Sequence, residues 1–122
     1  LEAEQRLVFE DIAAEPVPSL LRGFSAPVKL EFNYSDADLA FLMANDSDAF
    51  NRWDAGLRLA VGILLRQIKG DGADSLDPLF IDACGKLLDD SAADRRQVAQ
   101  SLTLPGHIYL SQQVEVIDPD AI

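Results

Sequence analysis

Few residues in this chain have types and spacing that suit chemistry. One histidine, His107, and one cysteine, Cys84, stand among 21 Asp and Glu residues in a chain of 122. A single histidine rules out, within these residues, a His-Glu-x-x-His zinc helix, any two-histidine metal site and a facial triad. His107 and Cys84 would form a base and a nucleophile only if the fold brought them together. His107 follows a Pro105-Gly106 break, while Cys84 lies on the apolar face of a predicted helix, so each is read separately: Cys84 as a small core hydrophobe, His107 as a helix start. The acids cluster as Asp71 with Asp74, Asp89-Asp90, and Asp118 with Asp120, pairings that suit metal binding or general acid/base work. Each pair falls in a predicted loop or cap, where Asp is expected for its backbone hydrogen bonds. Gly70-Asp71-Gly72 lacks the Lys and Ser/Thr of a phosphate loop. No catalytic, cofactor-binding or metal-ligating residue is therefore assigned in this chain.

The elements that would position such groups are organised around Ala49–Lys69, which has apolar residues at helical spacing through five or six turns. Phe50, Trp53, Leu57, Ala60, Val61, Leu64 and Ile68 share one face, and Leu59 and Ile63 point the other way. This predicts a helix buried on two sides. Trp53 reads as a core anchor whose truncation would cost about 3 to 5 kcal/mol. Asp54 with Arg58, and Arg95-Arg96 among acids, read as surface helix pairs.

In chain order, Gln5–Ile12, Pro18–Phe24 and Val28–Phe32 read as short strands. Three strands make a poor sandwich, which places their partners outside this stretch. At Ser35 the period changes to 3.6, and Ser35 with Asp38 predicts a capping box opening a helix over about Asp36–Ala44. Asn45-Asp46-Ser47-Asp48 is turn chemistry, with Ser47 or Asp48 as the next cap. Gly70 and Gly72 end the long helix. Asp77-Pro78 predicts an N-cap with Pro at N1, then a third helix with Phe80, Ile81, Cys84, Leu87 and Leu88 on its face. A fourth helix is expected over Ser91–Leu102 and a fifth over His107–Val114. The fold class is mainly α: antiparallel helix pairs beginning an α-solenoid, preceded by a few short β-strands from the end of a β-sandwich. The division falls at residues 1–33, an incomplete sandwich, and 34–122, the start of a helical repeat.

The formal charge of −11 argues against nucleic-acid and anionic-membrane surfaces. A single cysteine excludes an internal disulfide and fits a reducing, cytoplasmic setting. No apolar run reaches the ~20 residues of a membrane span, and no signal peptide pattern is present. The chain begins without Met, and Asp118-Pro119-Asp120 reads as a helix start with no helix after it. Both features predict an excised piece of a longer protein.

The run Pro16–Leu30, PVPSLLRGFSAPVKL, with Tyr34-Ser35-Asp36 and Asp38-Leu39-Ala40-Phe41-Leu42, resembles the bacterial aminopeptidase N family, the zinc-dependent alanyl aminopeptidases. The likeness continues through Asp48, Phe50-Asn51-Arg52-Trp53, Ala55-Gly56, Leu76-Asp77-Pro78, Phe80-Ile81-Asp82-Ala83, Leu102-Thr103-Leu104-Pro105 and Val116-Ile117-Asp118-Pro119. The stretch Gly70–Asp74 and Cys84-Gly85 depart from the family pattern and bear on loop geometry, since neither belongs to a catalytic motif. The resemblance implies a parent enzyme in which zinc polarises the scissile carbonyl and activates water, while acidic side chains hold the substrate's amino terminus. It implies that the zinc motif lies upstream. These residues would then be a non-catalytic scaffold between β-sandwich and helical cap, with the parent's other domains as partners and peptides as the parent's substrates. The rival expectation is a stand-alone acidic helical-repeat module that binds a protein partner along a concave face.

Overall fold

Four of the five α-helices among the described residues begin where a side chain satisfies amide groups that the first turn leaves unpaired. The computed structural model describes residues 4–70 and 77–115, the side chain of Phe24 excepted. Helix α1 (Asp36–Asn45) opens on the Ser35–Asp38 capping box: the Ser35 hydroxyl accepts from the Asp38 amide at 3.1 Å, and the Asp38 carboxylate accepts from the Ser35 amide at 3.0 Å. The Ser35 hydroxyl also donates to the Asp38 carboxylate at 2.7 Å, and that bond, with the one from the Ser35 amide, holds the Asp38 carboxyl below its usual range. Helix α2 (Ala49–Ile68) is capped by Asp48, and α3 (Pro78–Asp89) by Asp77 with Pro78 at N1. Helix α4 (Arg95–Ser101) is capped by Asp94, and α5 (His107–Ser111) starts at Gly106.

Helices α1 and α2 run antiparallel across a three-residue turn, and Arg66 near the end of α2 reaches Asp36 at the start of α1 at 2.6 Å. Helix α1 lies between α2 and α3, and α4 packs on α2, with Val98 and Leu102 against the core. The core is Leu39, Ala40, Leu42 and Met43 of α1, Ala55, Leu59 and Ile63 of α2, and Ala83 and Leu87 of α3. Ala40 and Ala83 are both buried where α1 meets α3, and such small side chains let two helix backbones approach closely. Arg52 closes the end of this unit. It donates to the Met43 and Ala44 carbonyls at 3.2 Å each and to Asp90 at 3.0 Å, so one guanidinium joins the last turn of α1, the start of α2 and the exit of α3.

Several expectations change. The mainly α class holds, but residues 5–12, 18–24 and 28–32 form no strand among the described residues. Residues 18–24 close into a single 3₁₀ turn at Arg22–Phe24, and Leu21 takes a left-handed conformation at φ 53° that a strand does not use. A strand is held by a neighbour's ladder, and Leu7, Val8, Phe9 and Ile12 stay exposed, Phe9 at 74%. The fourth helix starts at Arg95 rather than Ser91, because Asp90 turns the chain by accepting from the Ala92 amide at 3.1 Å. The fifth ends at Ser111 rather than Val114. In α3, Ile81 and Leu88 are exposed and Ala83 takes the buried place. In α2 the fully buried side chain is Leu59, at 0% exposure, on the face opposite the one weighted by aromatic residues. Trp53 is half-buried and lines a shallow groove with Phe50, Gln97, Gln100 and Ser101. It is not the core anchor, because the short α4 covers that side only in part. Asp71, Gly72, Asp74 and the Asp118–Asp120 start lie outside the described residues.

Candidate functional site

The residues first weighed for chemistry are dispersed or neutralised. His107 is the exposed first residue of the five-residue α5. Cys84 is half-buried against the core, and that burial pushes its thiol up, away from the reactive thiolate. Asp89 is exposed, and Asp90 is held below the usual carboxylate range by the Arg52 hydrogen bond and the Ala92 amide. Asp54 and Arg58 pair at 2.9 Å along α2, as the spacing predicts. Among the described residues, no group of three His, Cys, Asp or Glu side chains could hold a metal ion. None of their helices is long and apolar enough to cross a membrane.

The polar cluster that the fold does assemble involves residues to which the sequence reading assigned no such role. The Asp46 side chain is only 1% exposed. Its carboxylate accepts from the Ser19 hydroxyl at 2.5 Å, from Arg22 Nη1 at 2.7 Å and from the Asp48 amide at 2.8 Å. Arg22 also donates through Nη1 to Ser19 Oγ at 3.0 Å and through Nη2 to Ser47 Oγ at 2.7 Å. Asn51, on the first turn of α2, donates to Ser19 Oγ and to the Leu20 carbonyl at 2.9 Å each. Asp48 accepts from the Asn51 amide at 3.0 Å and from the Gly23 amide at 2.9 Å, which holds its carboxyl below the usual range. A few residues on, the Tyr34 hydroxyl donates to the Pro18 carbonyl at 2.7 Å. Burial pushes the Tyr34 phenol up, against the lowering effect of Arg58.

This cluster suits holding better than reacting. No buried side-chain nitrogen or oxygen among the described residues lacks a hydrogen-bond partner, and in this cluster the partners are protein groups. The cavity beside it, lined by Ser19, Leu20, Tyr34, Leu42 and Asn51 among others, has a volume of about 20 Å³. That is space for one water and for no organic substrate. The sequence signal for the junction was limited: Asp46 sits in a run of turn formers, and nothing local marks it as buried.

A family model described as a domain of unknown function (DUF3458_C) with ARM repeats matches residues 36–122, and one described as DUF3458 with an Ig-like fold matches residues 1–33. The chain is similar to aminopeptidase N of Escherichia coli (40% identity) and of Caulobacter vibrioides (36%) over 99% of its own length. Aminopeptidase N of Haemophilus influenzae matches at 32% over the same share. The chain spans 14% of the length of each of these relatives. A crystal structure of Legionella pneumophila aminopeptidase A in complex with aspartic acid superposes with a TM-score of 0.76 at 34% identity, covering 93% of this chain and 13% of that one.

Proposed function

Because the chain belongs to the DUF3458_C family of ARM-repeat domains, we propose that it is a non-catalytic joint within a longer zinc aminopeptidase of the aminopeptidase N type. The observation that supports this most is the pairing of two coverages: nearly all of this chain matches the relatives, and it amounts to 14% of each. In this reading residues 1–33 close the Ig-like unit and residues 34–122 begin the helical repeat. The whole protein removes amino-terminal residues from peptides in the cytoplasm. Its partners for these residues are its own other domains. The donor set in this chain does not fit zinc, since its one histidine is exposed at the start of α5, so the metal chemistry is assigned to residues elsewhere in the longer protein. A stand-alone module is not favoured, because all three relatives carry the match within a much longer protein.

The test compares the 122-residue chain with the full-length gene product on an alanyl chromogenic substrate, with zinc measured by elemental analysis. The full-length protein is expected to bind zinc and to lose turnover on chelation, whereas the 122-residue chain does neither. Zinc-dependent turnover by the 122 residues alone, or an inactive zinc-loaded full-length protein, would overturn the reading.

A further inference from the structure

We propose that Arg22 is a positioning residue: with Asp46 it forms a latch that fixes the angle between the Ig-like segment and the helical repeat. The inference rests on the division into those two units proposed above. The two family matches meet between residues 33 and 36. A single covalent joint at that point leaves rotation free about the backbone of Asn33, Tyr34 and Ser35. A second attachment, distant in sequence, removes that freedom. Six bonds of the cluster cross the boundary: their partners Ser19, Leu20, Arg22 and Gly23 belong to the first match, and Asp46, Ser47, Asp48 and Asn51 to the second.

The chemistry suits a rigid attachment. The planar Arg22 guanidinium spans two acceptors on one turn, Asp46 Oδ1 and Ser47 Oγ, at 2.7 Å each. Two divergent bonds from one rigid fork set a direction as well as a distance, which the point charge of a lysine does not. The acceptor end is built in, because Asp46 is buried between two helices and anchored by the Asp48 amide. The donor end is 46% exposed, so the pair closes from the solvent side without a change in the core.

The backbone agrees. Leu21 sits at φ 53° and Gly23 at φ 62°, flanking Arg22 on both sides. A left-handed leucine is strained, and such a conformation persists where the surroundings over-determine it. These two turns aim Arg22 back at the α1–α2 connection, and the bonds of Ser19 to Asp46, of Asn51 to the Leu20 carbonyl and of the Gly23 amide to Asp48 hold them there. A segment that needed only to be tethered would not require this geometry.

The test measures orientation directly. In the full-length gene product, spin labels are placed at Lys29→Cys and Lys86→Cys, with Cys84→Ala introduced and any other label-reactive cysteine of the full-length protein replaced, and the inter-label distance distribution is recorded. The parent background is expected to give one narrow distribution. Arg22→Gln should broaden it roughly twofold and speed exchange of the Gly23 amide by about tenfold, as expected for local opening of an otherwise intact fold. Arg22→Lys, which keeps the charge and loses the fork, should fall between the two. A distribution as narrow in Arg22→Gln as in the parent would overturn the latch. So would a parent distribution that is already broad, or global unfolding of Arg22→Gln, because a half-exposed latch controls orientation and not the fold. An inactive full-length protein in which Arg22→Gln still broadens the distribution would overturn the aminopeptidase reading and leave the latch standing.

Discussion

Adding one methyl group at two glycines of the same helix should have opposite effects on stability. Gly56 and Gly62 both lie inside α2, where glycine costs a helix about 1 kcal/mol relative to alanine. A Cβ at Gly62 would meet only Arg66 Nη1, at 3.6 Å, which is ordinary contact with a mobile side chain. Gly62→Ala should therefore gain most of that value, raising Tm by about 4 °C in a chain of this size. A Cβ at Gly56 would lie 3.2 Å from Met43 Sδ, 3.4 Å from Cγ and 3.5 Å from Cε. Met43 is unbranched and can shift by tenths of an ångström, but its side chain is 0% exposed and packed within the α1–α2–α3 core. Displacing it repacks the core at a typical overpacking cost of about 1 to 3 kcal/mol. Set against the helical gain, Gly56→Ala should come out about 0 to 2 kcal/mol less stable than the parent. Urea denaturation of both variants, followed by far-ultraviolet circular dichroism, measures the difference. If Gly56→Ala is stabilised as much as Gly62→Ala, then Met43 does not hold α1 and α2 at the distance described, and the account of the core is wrong.

Two further outcomes are expected. Leu59→Ala should cost about 2 to 5 kcal/mol and Trp53→Ala only about 2, because Leu59 is fully buried and Trp53 half so; chemical denaturation of the pair checks this, and a larger loss at Trp53 would place the core on the wrong side of α2. Stability should fall as pH drops below about 4, since Asp48 and Asp90 have carboxyls lowered from the ordinary value of 3.8. The sign follows from proton uptake: near that value the unfolded chain binds protons that the native chain does not, so stability is full above it and declines as pH falls through the native values. Thermal melts from pH 7 down to pH 2.5 test this, and a melting temperature that holds constant or rises on acidification would contradict it.

Capping chemistry is local, and so it could be read from the chain. The Ser35–Asp38 box and Asp77-Pro78 before α3 act within three or four residues and occur where the spacing predicts, and of the two caps expected before α2, Ser47 or Asp48, it is Asp48 that caps it. The same reach explains why the long α2 was legible almost to its last residue. The resemblance of Pro16–Leu30 and the later motifs to aminopeptidase N was also legible, since it depends on residue identity alone. The buried face of α2 was not. Both sides of that helix carry apolar residues, and the choice between Leu59 and Trp53 depends on how much its neighbours cover: Leu59 joins the core cluster shared with α1 and α3, whereas Trp53 lies half-buried beside the short α4. The strands expected before residue 33 did not form among the described residues, because alternation marks which side chains would share a face and cannot supply the ladder that makes a strand. Asp46 shows the limit most clearly. In the sequence it is one acid in a run of turn formers, and it becomes the buried acceptor of the junction only because the fold returns Ser19 and Arg22, 27 and 24 residues away, to its carboxylate.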